Sequence, residues 1–360
     1  MTAAKQETVT IEKLVIGGRG LARLADGLVV LVDGVLPGER VLVRPLRKRG
    51  GYVEGELVEL LAPSPLRVTP PCPHFWACGG CDLQHAEPAS QVGFKEEILR
   101  DHLWRGPLFD ADSLAAVWRA PLPSPWLFHY RQRIRLQIGN DFAPTVGFHR
   151  RRSHTLEPVA SCMLAREEIN AVLGQIDGCK PMAQLLGYGS ELELLFSPAD
   201  RDVVLLLHFG RKPRPADIKA AEGAVAALGA RALLFNVDGF GLFGPVGNGR
   251  ADDVLLRFAL PGLGRDNANL VLTVEPGGFC QVNPEQNLNL IGQMLAWIGE
   301  GRPQRTLDCH CGIGNFSIPL AVIAGQVTGC DLQGAAIRSA RRNAELNGIE
   351  NCRFEKRAAV

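Results

Sequence analysis

Three thiols stand within ten residues of this sequence. The run CPHFWACGGC holds Cys72, Cys78 and Cys81 in the pattern C-x5-C-x2-C, among Pro, Gly and aromatics. In a reducing compartment, thiols this close bind metal or do chemistry more often than they form disulfides. The bland alternative is a set of buried cysteines, although a Pro/Gly loop is not a core element. A second chemical segment is RTLDCHCGIGNFSIPLAVIA. There Asp308 ends an apolar run, and Gly312 and Gly314 let the backbone approach a ligand closely. Asp331 ends the next apolar run, VTGCDL, at a spacing that suits a carboxylate on the ribose hydroxyls of a nucleoside cofactor. Taken alone, the turn also reads as a tight strand-to-helix connection. Its form, D-x-x-C-G-x-G-N, departs from the G-x-G-x-x-G of NAD sites and points to S-adenosylmethionine.

Two basic stretches complete the set. Between His129 and His154, six arginines (131, 133, 135, 150, 151 and 152) stand against one acid, Asp141. Bidentate arginine suits phosphate, so this segment reads as a nucleic-acid contact or, more blandly, as the charged face of an edge sheet. Arg44, Arg47, Lys48 and Arg49, followed by Tyr52, read as a solvated hairpin or as a phosphate-contacting loop.

The elements that hold these residues follow from periodicity and turn chemistry. Up to about residue 68, short Val/Leu runs alternate with GG, DG, PG and GG, which predicts about five strands in a small β-barrel. The proline-rich LAPSPLRVTPPCP then marks a boundary. Residues 87–105 carry a helical pattern that starts at Pro88. HYRQRIRLQIG alternates Arg131, Arg133 and Arg135 on one face with Gln132, Ile134 and Leu136 on the other. An α/β middle region extends to about residue 265. From Leu270 the order β-α-β-α-β, with a glycine stop after AAIRSARRNAELN, is the opening half of a doubly wound sheet.

Bulk properties narrow the class. The chain has 360 residues, 46% hydrophobic and 21% charged, enough for two or three ordinary cores. The net charge of +1 gives no global field toward nucleic acid, so any such signal is local. No apolar run approaches the ~20 residues needed to cross a bilayer, and MTAAKQETVTIEK has no apolar signal core. A cytoplasmic protein is expected, with no membrane and no obligate protein partner inferred.

The motifs together resemble a known family. LDCHCGIGNFSIPLA is similar to the D-L-F-C-G-x-G-N-F-T-L-P-L-A signature of RNA uracil-C5 methyltransferases, and GGFCQVNPEQN to their F-x-Q-V-N-x-x-x-N segment. GGRGLAR resembles the N-terminal TRAM domain of the bacterial 23S rRNA branch. CPHFWACGGCDLQH and VGFHRRRSHTLEPVASC resemble its cysteine segments. The resemblance implies an α/β multidomain protein. It comprises a TRAM (OB-like) barrel at 1–68, a central domain at 69–90 and 121–267, and a Rossmann-like methyltransferase domain at 91–120 and 268–360. It implies that Gln281, His310, Gly312, Gly314, Asn315 and Asp331 hold S-adenosylmethionine. His310 stands where the family has an aromatic, and Asp331 replaces a frequent Glu. Turn and helix capping is the bland role for Gln281 and Asn315. The resemblance further implies that Cys72, Cys78, Cys81 and Cys162 hold a [4Fe-4S] cluster, although four thiolates also suit zinc. Arg47, Lys48, Arg49, Arg131, Arg133, Arg150 and Arg151 are the candidate RNA contacts, with 23S rRNA as the partner. A tRNA or other rRNA substrate and a non-catalytic iron-sulfur RNA-binding protein are the alternatives.

The family's thiolate attacks C6 of uracil, from an S-C-N-P-like segment that follows a D-P-P-R-like one, and its base is a glutamate near the C-terminus. Neither segment occurs in these 360 residues. The catalytic Cys and base are therefore expected beyond Val360. The expectation is a methyltransferase domain cut short and no transfer by this chain alone.

Overall fold

The Val-rich runs of the N-terminal segment pair as β1 (Glu7–Thr10), β2 (Lys13–Val15), β3 (Arg19–Arg23), β4 (Val29–Val32), β5 (Arg40–Arg49) and β6 (Tyr52–Ala62) in a computed structural model. The structure describes residues 6–140, 143–247 and 254–358. The strand order is β1-β5-β6-β4-β3-β2, with β4 and β6 parallel. Val9 of β1 and Ala22 of β3 belong to one core with Val30, Val41 and Val53, so the sheet encloses its interior as a barrel does. Gly20 is required there, because a Cβ would meet Val35 at 2.3 Å. Buried Glu39 binds Arg67 through bonds of 2.6 and 2.7 Å, and Arg67 also donates to the Gly34 carbonyl at 2.8 Å. This ties the barrel to the start of the proline-rich segment. Helices α1 (Pro88–Trp104) and α2 (Ala111–Val117) follow.

The chain forms two compact units. The first is Met1–Pro123 with His149–Glu157, and the second is Ser124–Phe148 with Pro158–Val360. Strands β7 (Arg133–Gly139), β8 (Thr145–His149), β9 (Leu156–Pro158), β10 (Gly189–Ser197), β11 (Asp202–Phe209), β12 (Ala232–Val237) and β13 (Gly241–Gly247) order as β13-β12-β11-β10-β7-β8-β9, and all but the end of β8 and most of β9 belong to the second unit. Helices α3 (Glu167–Ile176), α4 (Lys180–Leu186) and α5 (Pro215–Leu228) join them. In β11, Val203, Leu205 and Leu207 enter a core shared with α3, α4 and α5, whereas Val204 and Leu206 enter another. A strand covered on both faces reads as a continuous apolar run, which is why the segment reads VVLLLHF.

The second core also collects the C-terminal elements. These are the hairpin β14 (Leu256–Leu260) and β15 (Leu270–Val274), helix α6 (Pro284–Ile298), and two of three parallel strands, β17 (Gln326–Asp331) and β18 (Cys352–Lys356), while the third, β16 (Arg305–Cys309), adds no residue to that core. The helices α7 (Ser317–Ile323) and α8 (Gly334–Leu346) connect the three strands, giving the expected β-α-β-α-β. Strand β17 is central, and on the edge strand β16 Leu307 is 56% exposed.

Candidate cofactor site

The turn after β16 needs an unusual backbone. His310, Gly312 and Gly314 all have positive φ, at 61°, 55° and 88°. Gly312 and Gly314 take this conformation without strain, while His310 holds it against its Cβ. A Cβ on Gly314 would meet Ile318 at 3.1 Å. The Cys311 N–H donates to the Cys330 carbonyl at 2.9 Å, and the Gly314 N–H to the Cys311 carbonyl at 2.9 Å. Asp331 completes the cradle by accepting the Gly312 N–H at 3.0 Å and the Gln333 N–H at 2.8 Å.

Opposite this turn lies the loop between β15 and α6. A Cβ on Gly278 would clash with Val274 at 2.6 Å, so the loop closes only with glycine there. The Gln132 amide donates to the Gln281 carbonyl at 2.7 Å, and the Arg133 guanidinium to the Gly278 carbonyl at 2.8 Å. Asn283 caps α6 by accepting the Gln286 N–H at 3.0 Å. Between loop and turn is a cavity of about 100 Å³ lined by Gln281, His310, Gly312 and Asn315, among others. Four of the six residues expected at the cofactor thus share one cavity. Gly314 shapes the turn, and Asp331 reaches the site through Gly312.

Two lining residues escape the sequence reading. Asn287 forms a reciprocal amide pair with Asn315, with bonds of 2.8 and 2.9 Å. It is the last Asn of GGFCQVNPEQN, so the motif carried its signal. Gln132 had none, since it reads as one polar residue in a strand.

The electrostatics beneath the loop centre on Glu193, which is fully buried on β10. Burial alone would raise its pKa, but the His208 bond at 2.9 Å and the charges of Arg133 and Arg135 outweigh this and hold it below the ordinary value. Burial pushes the Asp308 carboxyl up, aided by the nearby Asp331, while a 2.5 Å bond from Ser317 opposes it. Burial also pushes the Cys280 thiol up to about 11 and the Cys311 and Cys352 thiols to about 12. Such thiols stay protonated at neutral pH, the reverse of an activated nucleophile.

In and around the cysteine loop, as elsewhere among the described residues, no group of three or more His, Cys, Asp or Glu that could hold a metal ion is found. The loop is fixed by polypeptide contacts. Gly79 N–H donates to the His149 carbonyl at 3.0 Å, and Arg151 N–H to the Ala77 carbonyl at 3.1 Å. Arg151 binds Asp82 and the Cys81 carbonyl, both at 2.5 Å, and His74 meets Glu157 at 3.1 Å. Gly79 permits this approach, since a Cβ would lie 3.1 Å from the His149 carbonyl. Cys162 lies in the second unit, where Asn170 bonds both its N–H and its carbonyl.

The candidate RNA contacts divide sharply. Arg47 and Lys48 are exposed and form no ion pair among the described residues, and Arg49 pairs with Glu54 at 3.4 Å. Arg133 is only 15% exposed and committed to Glu193. Arg131 is half-buried, with an Nε that finds no partner. Arg150 pairs with Glu157 at 3.0 Å, Arg151 with Asp82, and Arg152 with Asp33.

Known proteins now place the chain. Residues 4–58 match the TRAM domain, and residues 302–359 match a methyltransferase domain. The 23S rRNA (uracil(1939)-C(5))-methyltransferase RlmD of Pectobacterium atrosepticum is 31% identical over 98% of this chain and 74% of its own length. This chain belongs to the RlmD family of RNA uracil-C5 methyltransferases. The Burkholderia pseudomallei RlmD is 30% identical over 94% of this chain and 71% of its own length. The crystal structure of Pyrococcus abyssi tRNA (uracil-54, C5)-methyltransferase in complex with S-adenosyl-L-homocysteine shares the family fold. It superposes with a TM-score of 0.67 at 22% identity, over 96% of this chain and 78% of that one. Among the described residues, no helix is long and apolar enough to cross a membrane.

Proposed function

We propose that this chain binds S-adenosylmethionine in the cavity between the Gln281 loop and the Gly312 turn, and that it serves methylation of C5 of a uridine in 23S rRNA in the cytoplasm. The observation that carries the reading is the convergence of Gln281, His310, Gly312 and Asn315 on one cavity, with Asp331 beneath the turn. Two features fit the methyl donor. Gln132 Oε1 is buried there without a partner, and the glycine turn leaves room where side chains would intrude. When bound, the donor supplies a methyl group on a sulfonium sulfur.

The protein's own residues orient it. Asp331 and the Gly312 N–H face the ribose end, and the Asn287–Asn315 pair fixes the start of α7. The attacking thiolate is assigned to none of Cys280, Cys311 or Cys352. Arg47, Lys48, Arg49, Arg131, Arg150 and Arg151 are proposed RNA contacts, with the exposed, unpaired Arg47 and Lys48 foremost. The three-part division at 1–68, 69–90 with 121–267, and 91–120 with 268–360 is carried forward as the proposed domain plan. A [4Fe-4S] cluster on Cys72, Cys78, Cys81 and Cys162 rests on the resemblance of the two cysteine segments to those of the family's 23S rRNA branch. Iron and acid-labile sulfide analysis after anaerobic purification decides it.

The deciding experiment is calorimetric titration with S-adenosylhomocysteine, followed by transfer of labelled methyl to unmodified 23S rRNA and to tRNA. We expect one ligand per chain and, for Asp331→Ala, a loss of roughly tenfold or more in affinity. Failure of the unmodified chain to bind overturns the reading, and RNA methylation confined to tRNA shifts the substrate. Transfer by the 360-residue chain alone would show that the attacking thiolate lies within it.

A further inference from the structure

Gln132 stands just ahead of β7 and is 3% exposed. Its backbone is fully used, since its N–H donates to the Val282 carbonyl at 3.0 Å and its carbonyl accepts the Phe196 N–H at 2.8 Å. Its side-chain nitrogen donates to the Gln281 carbonyl at 2.7 Å. A carbonyl oxygen only accepts, so that bond fixes which end of the amide is nitrogen. The other end, Oε1, is left buried without a donor, in a residue that lines the cofactor cavity. The other buried polar atoms without partners among the described residues belong to His85, Arg131, Asp202, Arg231, Glu285, Thr306 and Asn351, none of which lines it.

A bare buried acceptor is costly, and folded proteins keep few. It calls for an N–H or O–H from whatever fills the cavity. The position of Gln132 suggests which one. Asp331 marks the ribose end of the cleft through Gly312 and is not a lining residue, whereas Gln132 is bonded to Gln281 across from the turn. The end of the methyl donor away from its ribose is an amino acid, and its α-ammonium carries three donors and a positive charge.

We propose that Gln132 Oε1 accepts a hydrogen bond from the α-ammonium of the bound methyl donor. Gln132 is then a binding residue as well as a prop for the Gln281 loop. The proposal rests on the reading given under Proposed function. An N–H of the target base has the same chemistry, so the test is run without RNA.

The 360-residue chain and its Gln132→Met and Gln132→Glu variants are titrated with S-adenosylhomocysteine and with the analogue in which hydrogen replaces the α-amino group. Methionine keeps the length of the side chain and removes both polar atoms. It is expected to cost about tenfold or more with S-adenosylhomocysteine, the range for a hydrogen bond to a charged group, and to leave the deaminated analogue nearly unaffected. Glutamate keeps an acceptor and loses the bond to Gln281. It is expected to hold or raise the affinity for S-adenosylhomocysteine relative to the analogue. Equal losses for both ligands mean that Gln132 only props the loop, and unchanged affinities mean that the acceptor meets something other than the donor. Either result overturns the proposal while leaving the proposed function intact. If the methionine variant does not fold, the glutamate variant decides, because parity between its two ligands overturns the proposal. No binding by the unmodified chain defeats the proposed function itself.

Discussion

The arginines of β7 and the basic tip between β5 and β6 give the same signal in sequence and have opposite fates in the structure. At the tip, Arg47 and Lys48 project from exposed backbone and, among the described residues, meet no acid. On β7, Arg133 turns inward to Glu193 and to the Gly278 carbonyl, and Arg135 divides between Glu191 and Glu193. The tip is therefore available to phosphate, whereas Arg133 works as scaffold under the cofactor loop. A local excess of cations says little about binding until the acids brought in from elsewhere in the chain are counted.

The largest test of this contrast is Arg133→Ala. It leaves the buried Glu193 short of a cation, and removing one partner of a buried pair costs roughly 3–5 kcal/mol. Since His208 and Arg135 remain, about 3 kcal/mol is expected in urea unfolding at pH 7, with donor affinity falling as the Gly278 carbonyl loses its partner. If Arg133→Ala instead weakens RNA binding with stability unchanged, the contrast fails.

The next effect is in pH. Glu193 is held below the ordinary carboxylate value, with burial working against the shift and His208, Arg133 and Arg135 producing it. Its stabilisation is then complete above the ordinary carboxylate value of 4.5 and is lost as pH falls through the lower folded value. Glu193→Gln should cost roughly 2 kcal/mol at pH 7, with the gap from wild type closing as pH falls below the ordinary carboxylate value and through the lower folded one. A gap that persists at low pH would mean that packing, not charge, is what the substitution removes.

The smallest effect sharpens the other side. Arg47→Ala and Lys48→Ala should change stability by less than about 0.5 kcal/mol. Each should weaken RNA binding several-fold at low salt and reduce the slope of log affinity against log salt by about 0.7–0.9. An unchanged slope removes the tip from the RNA interface.

What could be read from sequence follows how far apart the contributing residues lie. The barrel strands, the doubly covered β11 and the turn from His310 to Asn315 each depend on neighbours in the chain, so patterns and spacing exposed them. Asp331 was legible because one strand, one helix and the next strand fix its place beside Gly312. Gln132 was not, because its role comes from a bond to Gln281 across 149 positions. The six arginines read alike in sequence, but five of them pair with acids that come from residues 33, 82, 157, 191 and 193. The cysteine spacing suggested ligands. The structure also shows the cysteine loop held by residues 149–157, a partner segment that lies within VGFHRRRSHTLEPVASC.

That partner segment has a consequence for synthesis. The first unit takes its residues from Met1–Pro123 and then again from His149–Glu157, so it is not a contiguous stretch of the message. As the chain leaves the ribosome, the barrel has all six strands in hand while the cysteine loop still lacks its docking partner. At the usual 5–20 residues per second, residues 82–148, which separate the loop from that partner, take roughly three to thirteen seconds to appear. Throughout that interval the loop that carries Cys72, Cys78 and Cys81 has yet to gain the contacts that later hold it.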